Sequence, residues 1–388
     1  MLLSIAFVLI FGMFSGWVCK KLNLPSLLGM IITGILIGPH IFNLLDDSIL
    51  NISSELRRIA LIIILMRAGL SLDLNDLKKV GRPAILMCFL PATVEIIGMV
   101  VLAPKLLGIS VIDAAIMGSV VAAVSPAVIV PKMLKLMEEG YGKENSIPQL
   151  ILAGASVDDV FVIVLFSVFT SLAQGASVSI KSFIDIPVSI GLGIGVGIII
   201  GIILNQFFMK MRMRDTSKTV ILLSIAFILV TIEDKFNIPF SALISVMTIG
   251  ITIQKQREML ATRLASKFNK LWVPAEVILF VLVGASVDIK YALSAGVAAI
   301  VLILGVMVFR MAGVYLSLLK THLSTKERIF CMIAYTPKAT VQAAIGGVPL
   351  QMGLACGNIV LTVAVLAILI TAPLGAFFVD LSYKKLLK

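Results

Sequence analysis

Apolar runs of about 17 to 25 residues follow one another along almost the whole chain, parted by short loops in which lysine and arginine collect. No other feature narrows the possible folds as far. A backbone inside hydrocarbon has no water to bond its N–H and C=O groups, so only helices and closed barrels cross a bilayer. A barrel needs short segments that alternate apolar and polar residues, and these runs do not alternate. They read as membrane-spanning helices. Composition agrees: 60% of the 388 residues are hydrophobic and 14% are charged, against about 25% charged in an ordinary soluble domain.

Thirteen spans are expected, beginning near Met1, Ser26, Glu55, Val80, Val111, Pro148, Ile184, Thr219, Pro239, Leu271, Leu293, Arg328 and Asn358. With loops assigned to alternating sides, 23 lysines and arginines fall on one side and 6 on the other; Arg67, Arg310 and Lys338 lie inside spans. A wrong count would scramble that bias. Positive charge collects on the cytoplasmic side, so the N-terminus is expected outside and the C-terminus inside a cell membrane, such as the bacterial cytoplasmic membrane. The same bias accounts for the net charge of +11 without nucleic acid as a partner. The first run lacks a basic leader and a small-residue cleavage site, so it reads as a span and not a signal peptide. Cys19, Cys88, Cys331 and Cys356 show no paired spacing, and His40 and His322 are the only histidines. No disulfide framework, resident metal centre or cofactor is expected, nor an enzyme activity.

The chain repeats itself. "RAGLSLDL" (67–74) matches "LVGASVDI" (282–289), aligning Gly69, Ser71 and Asp73 with Gly284, Ser286 and Asp288. The same offset lays Glu95 over Arg310, and one helix later Ser125-Pro126 falls over Thr336-Pro337. Spans three to five thus map onto spans ten to twelve. A shift of seven helices is odd, so the two halves must be inverted, as in many secondary transporters.

Pro126 and Pro131 are expected to interrupt the fifth span and Pro337 the twelfth. Paired interruptions, each preceded by a hydroxyl residue, point to discontinuous helices that free backbone carbonyls for a cation or a charged side chain. Ser125 and Thr336 add side-chain oxygens suited to Na⁺ or Li⁺. Glu95 and Arg310, opposite charges at equivalent positions, are expected to form a buried structural ion pair. Lys338 either compensates the negative ends of the half-helices or pairs with an aspartate. Arg67 is placed to snorkel.

"AGASVDDVFVIVLFSVF" (153–169) then sets Asp158 and Asp159 in an apolar run with no basic residue within a helical turn. Each acid at that depth costs about 2.5–3.5 kcal/mol. Neighbours on a helix point about 100° apart, so one can face a water-filled cavity while the other faces the interruptions. Burial favours the protonated form of a carboxyl, so a proton and a cation can compete for the same oxygens.

"VSPAVIVP" (124–131), "SVDD" (156–159), "RAGLSLD" (67–73) and "TPKATVQAAIGG" (336–347) together resemble the cation:proton antiporter superfamily, most of all its NHA-type sodium/proton antiporter branch. The resemblance implies an all-α NhaA-like fold of two inverted repeats with two crossed discontinuous helices. It implies a first repeat at 1–175, with a dimerisation part at 1–75 and a core part at 76–175. A linking span at 176–215 follows, then a second repeat at 216–388, with a dimerisation part at 216–290 and a core part at 291–388. The core would move against the dimerisation domain of a homodimer in an elevator-like cycle. Asp159 would be the main carrier of cation and proton, with Asp158 beside it. Electrogenic relatives place a lysine where this chain has Arg310, and electroneutral ones replace the first aspartate by asparagine, which this chain does not. Val-Ser-Pro stands where many relatives have Thr-Asp-Pro, so dipole compensation at the first interruption is expected to differ.

A K⁺/H⁺ antiporter or a Na⁺-coupled symporter of the same fold is the alternative reading. Ligand-gated potassium efflux systems carry a nucleotide-binding domain, which the chain's end at "SYKKLLK" does not supply, and "GLGIGVG" (191–197) reads as helix packing. An intramembrane aspartyl protease needs its two acids on separate helices.

Overall fold

The computed structural model of the protein describes residues 1–22, 24–72, 81–174, 180–211, 213–236, 240–287 and 289–387. The described residues form helices and connecting turns. In order these are α1 (Leu2–Lys21), α2 (Ser26–Ile37), α3 (Asp47–Asn51), α4 (Ser53–Ser71), α5 (Arg82–Met87), α6 (Leu90–Leu107), α7 (Val111–Val121), α8 (Pro126–Glu139) and α9 (Ile147–Ala173). Then come α10 (Ile180–Lys210), α11 (Asp215–Lys235), α12 (Ala242–Gln256), α13 (Glu258–Ala285), α14 (Ile289–Ser317), α15 (Thr325–Ala334), α16 (Thr340–Ile345), α17 (Val348–Gln351) and α18 (Gly357–Leu386). Among the described residues, eight helical stretches are long and apolar enough to cross a membrane, and two shorter apolar helices are α2 and α7. The chain is a multi-pass helical membrane protein.

The chain divides into two compact units. The first comprises residues 1–57, 77–175 and 277–388. Its longest pairing runs α6 along α14, which sets Glu95 beside Arg310; α7, α9, α15, α16 and α18 pack around these. Local chemistry sets the ends of its elements. Ser110 caps α7 by accepting from the Asp113 N–H, and Ser324 and Glu327 form a reciprocal capping box on α15. Gly108 and Gly140 end α6 and α8 in the left-handed region that glycine enters without steric cost. The apolar core of this unit includes Met87, Ile151, Phe330 and Tyr335, all fully or almost fully buried.

The second unit comprises residues 58–76 and 176–276. Here α10 packs on α12 through glycines four residues apart. A Cβ at Gly197 would stand 2.6 Å from the Thr248 Cβ, and one at Gly201 would stand 2.7 Å from the Thr252 Cβ. Within the glycine run, Gly193 and Gly197 thus sit at a close helix contact, while Gly191 and Gly195 face open space. Arg67, expected to snorkel, is half-buried with Glu276 as its electrostatic partner.

The aligned glycines Gly69 and Gly284 share an environment, each within its own unit. A Cβ at Gly69 would lie 2.2 Å from the Met247 carbonyl oxygen, and one at Gly284 would lie 2.1 Å from that of Ile31. Asp73 and Asp288, the acids of the same motif, lie outside the described residues.

Candidate functional site

Two interruptions meet inside the first unit. α7 stops at Val121, the chain runs non-helical from Ala122 to Ser125, and α8 begins with Pro126 in its first position. Proline suits that position because it has no N–H to leave unpaired, and it disfavours helix in the residue before it. The second interruption runs from Tyr335 to Ala339, between α15 and α16, and contains Pro337. The Ser125 N–H donates to the Pro337 carbonyl at 2.8 Å, so the interruptions bond directly to each other. Pro131, expected as a further break, lies within continuous α8; one proline already supplies the discontinuity.

Four charged side chains, each fully buried, close on one another around these breaks. Arg310 Nη1 donates to Glu95 Oε2 at 2.9 Å, and Arg310 Nη2 donates to Asp158 Oδ2 at 2.8 Å. Arg310 Nε donates to the Tyr335 carbonyl at 2.6 Å, and Nη1 also donates to the Ala122 carbonyl. Lys338 Nζ lies 2.7 Å from both Glu95 carboxylate oxygens. Asp158 Oδ2 further accepts the Val124 N–H at 2.8 Å.

Two sequence readings change here, and a third is met in part. Lys338 pairs with Glu95, and not with an aspartate, because the second interruption presents it to α6. Asp158, which has no basic residue within a helical turn of its own sequence, is tied to Arg310 from another helix: the guanidinium has enough N–H groups to serve two carboxylates and two carbonyls at once. Of the carbonyls at the first interruption, expected to take a cation or a charged side chain, one takes a charged side chain and two take a neutral one. Arg310 takes that of Ala122, and the Gln342 amide takes those of Val121 and Ala123 at 3.0 and 2.9 Å.

Asp159 stands apart. It is 8% exposed, and no ion pair to it occurs among the described residues. Its Oδ1 is buried without a hydrogen-bond partner, as are Asp158 Oδ1 and Ser125 Oγ. Thr336 Oγ1 donates to the Ile333 carbonyl at 2.8 Å, leaving its lone pairs as acceptors. Two acids and two bases make the quartet electrically neutral, and Asp159 is an acid in excess of it. Such a group can hold a proton or a hard monovalent cation through its oxygens.

Gln342, Tyr335 and Thr371 were not singled out from sequence. Thr371 Oγ1 accepts the Lys338 N–H at 3.0 Å, and the Tyr335 ring covers Arg310 at 5.1 Å while its hydroxyl donates to the Met87 carbonyl. The available signal was a polar side chain within an otherwise apolar helix, clearest for Gln342 in "TVQAAIGG".

A family model described as "Sodium/hydrogen exchanger, transmembrane" matches residues 5–380. Sodium/hydrogen exchanger 9B2 of Homo sapiens is 33% identical over 386 residues, covering 94% of this chain and 70% of that protein. Sodium/hydrogen exchanger 9B1 of Homo sapiens is 31% identical over 385 residues, covering 94% and 73%. The sodium proton antiporter MjNhaP1 of Methanocaldococcus jannaschii superposes with a TM-score of 0.87 at 19% identity, over 98% of this chain and 97% of that one. At that identity the likeness concerns the fold.

Proposed function

Since the chain belongs to the sodium/hydrogen exchanger family, we propose that it exchanges a monovalent cation, Na⁺ or Li⁺, for protons across the membrane. The observation that carries this reading is Asp159, the buried acid left over once Glu95, Arg310, Lys338 and Asp158 have neutralised one another. A carboxylate without a counter-ion at that depth is costly, and binding either a proton or a cation relieves the cost. The two cargoes then exclude each other on one set of oxygens, which is what exchange requires. Ser125, Thr336 and the free oxygen of Asp158 complete the cation's shell, while the Glu95–Arg310 pair and Lys338 hold the interruptions in place.

The working architecture is thirteen spans in two inverted repeats, N-terminus outside and C-terminus inside. A homodimer carries the core parts at 76–175 and 291–388 past the dimerisation parts in an elevator-like cycle. The matching close approaches of Gly69 and Gly284 support the repeat.

Purified protein in acid-loaded liposomes should alkalinise the lumen when Na⁺ or Li⁺ is added outside. The apparent cation affinity should fall as the pH is lowered, because protons compete for Asp159. Proton flux indifferent to Li⁺, Na⁺ and K⁺ alike would overturn the reading.

A further inference from the structure

Three successive carbonyls at the first interruption, those of Val121, Ala122 and Ala123, accept from side chains carried by α14 and α16. Two of the three are held by one neutral group, the amide of Gln342, which is 1% exposed. Its own Oε1 is buried without a hydrogen-bond partner. Unpaired carbonyls at a broken helix are good ligands for an alkali cation, and a lysine or arginine could occupy them only by adding charge that repels one. An amide occupies them without charge.

We propose that Gln342 is a specificity-determining residue, keeping the Val121 and Ala123 carbonyls out of the transported ion's shell. This inference rests on the exchange reading above. With those carbonyls held, the remaining ligands are few and dominated by carboxylate. A small number of ligands with a strong field favours Li⁺ and Na⁺; a larger set of carbonyl dipoles suits K⁺. Gln342 needs no contact with the cation to act in this way. It works by withholding competing ligands.

The test measures exchange with Li⁺, Na⁺ and K⁺ in liposomes for wild type, Gln342→Leu and Gln342→Asn. Leucine frees both carbonyls, and asparagine keeps an amide too short to span the pair. Transport of K⁺ relative to Na⁺ should rise about fivefold in Gln342→Leu, the scale of one neutral polar contact, and by less in Gln342→Asn. A merely structural role would slow all three ions alike and leave their KM ratios unchanged, which overturns the proposal. If neither variant folds, the amide is a structural brace and the proposal is equally lost. Absence of cation-driven flux in the wild type is a different result, because it removes the exchange reading itself.

Discussion

Between Val121 and Pro126 the chain carries no charge of its own, whereas between Ala334 and Thr340 it carries Lys338. The first interruption is stabilised from elsewhere: Arg310 and Gln342 hold its carbonyls, and Asp158 accepts its Val124 N–H. The second contributes its own cation to Glu95, takes Arg310 at the Tyr335 carbonyl, and rests its Lys338 N–H on Thr371. Arg310 is common to both. Asp158 belongs to the stabilisation of the first interruption, and Asp159 to neither. The comparison teaches that two neighbouring, chemically identical side chains stand in different surroundings. One is tied to Arg310 and the Val124 N–H, and the other has no ion pair among the described residues.

The largest effect should follow loss of the shared group. Arg310→Ala leaves Glu95 with only Lys338, takes from Asp158 its ion-pair partner among the described residues, and leaves two interruption carbonyls unpaired. Breaking buried pairs of this kind costs about 3–5 kcal/mol, so thermal unfolding in detergent should shift by many degrees. A loss below about 1 kcal/mol, the scale of an exposed pair, would mean that the interruptions stand without it.

Lys338→Met should cost less, about 2–3 kcal/mol, because Glu95 keeps Arg310. The comparison sharpens in the double variant with Glu95→Gln. Coupling of about 0.5–3 kcal/mol between the two positions is expected. Strict additivity would show that the second interruption does not depend on its own charge.

Asp158→Asn comes next. Asparagine keeps one acceptor for Val124 but weakens the charged bond to Arg310, for an expected loss of about 1–3 kcal/mol. Asp159→Asn should be smallest for stability, within about 0.5 kcal/mol of wild type, since no described ion pair is lost. Its effect on function should be complete: cation-driven proton flux vanishes from a folded protein. Equal destabilisation by the two substitutions, or full exchange in Asp159→Asn, would dissolve the distinction between them.

Several of these features were legible before any coordinates. The membrane class follows from length and apolarity alone, because hydrocarbon leaves a chain few ways to satisfy its backbone. The interruptions at Pro126 and Pro337 are legible because proline acts on its own neighbours through sterics and a missing N–H. So is the presence of expensive charges at Glu95, Asp158, Asp159, Arg310 and Lys338, since each stands out in an apolar run. The Glu95–Arg310 pair is legible as well, from opposite charges at repeat-equivalent positions 215 residues apart. Which further charges join it is another matter, with Glu95 and Lys338 separated by 243 positions and Arg310 and Asp158 by 152. With two cations and three acids of similar burial, several pairings satisfy the same composition. Only the packing of α6, α9, α14 and the second interruption decided that Arg310 would take Asp158 as well as Glu95, that Lys338 would turn to Glu95, and that Gln342 would take the first interruption's carbonyls. Electrostatic and hydrogen-bond energies depend on separations of a few ångströms, and distances between helices remote in sequence are set by the tertiary structure.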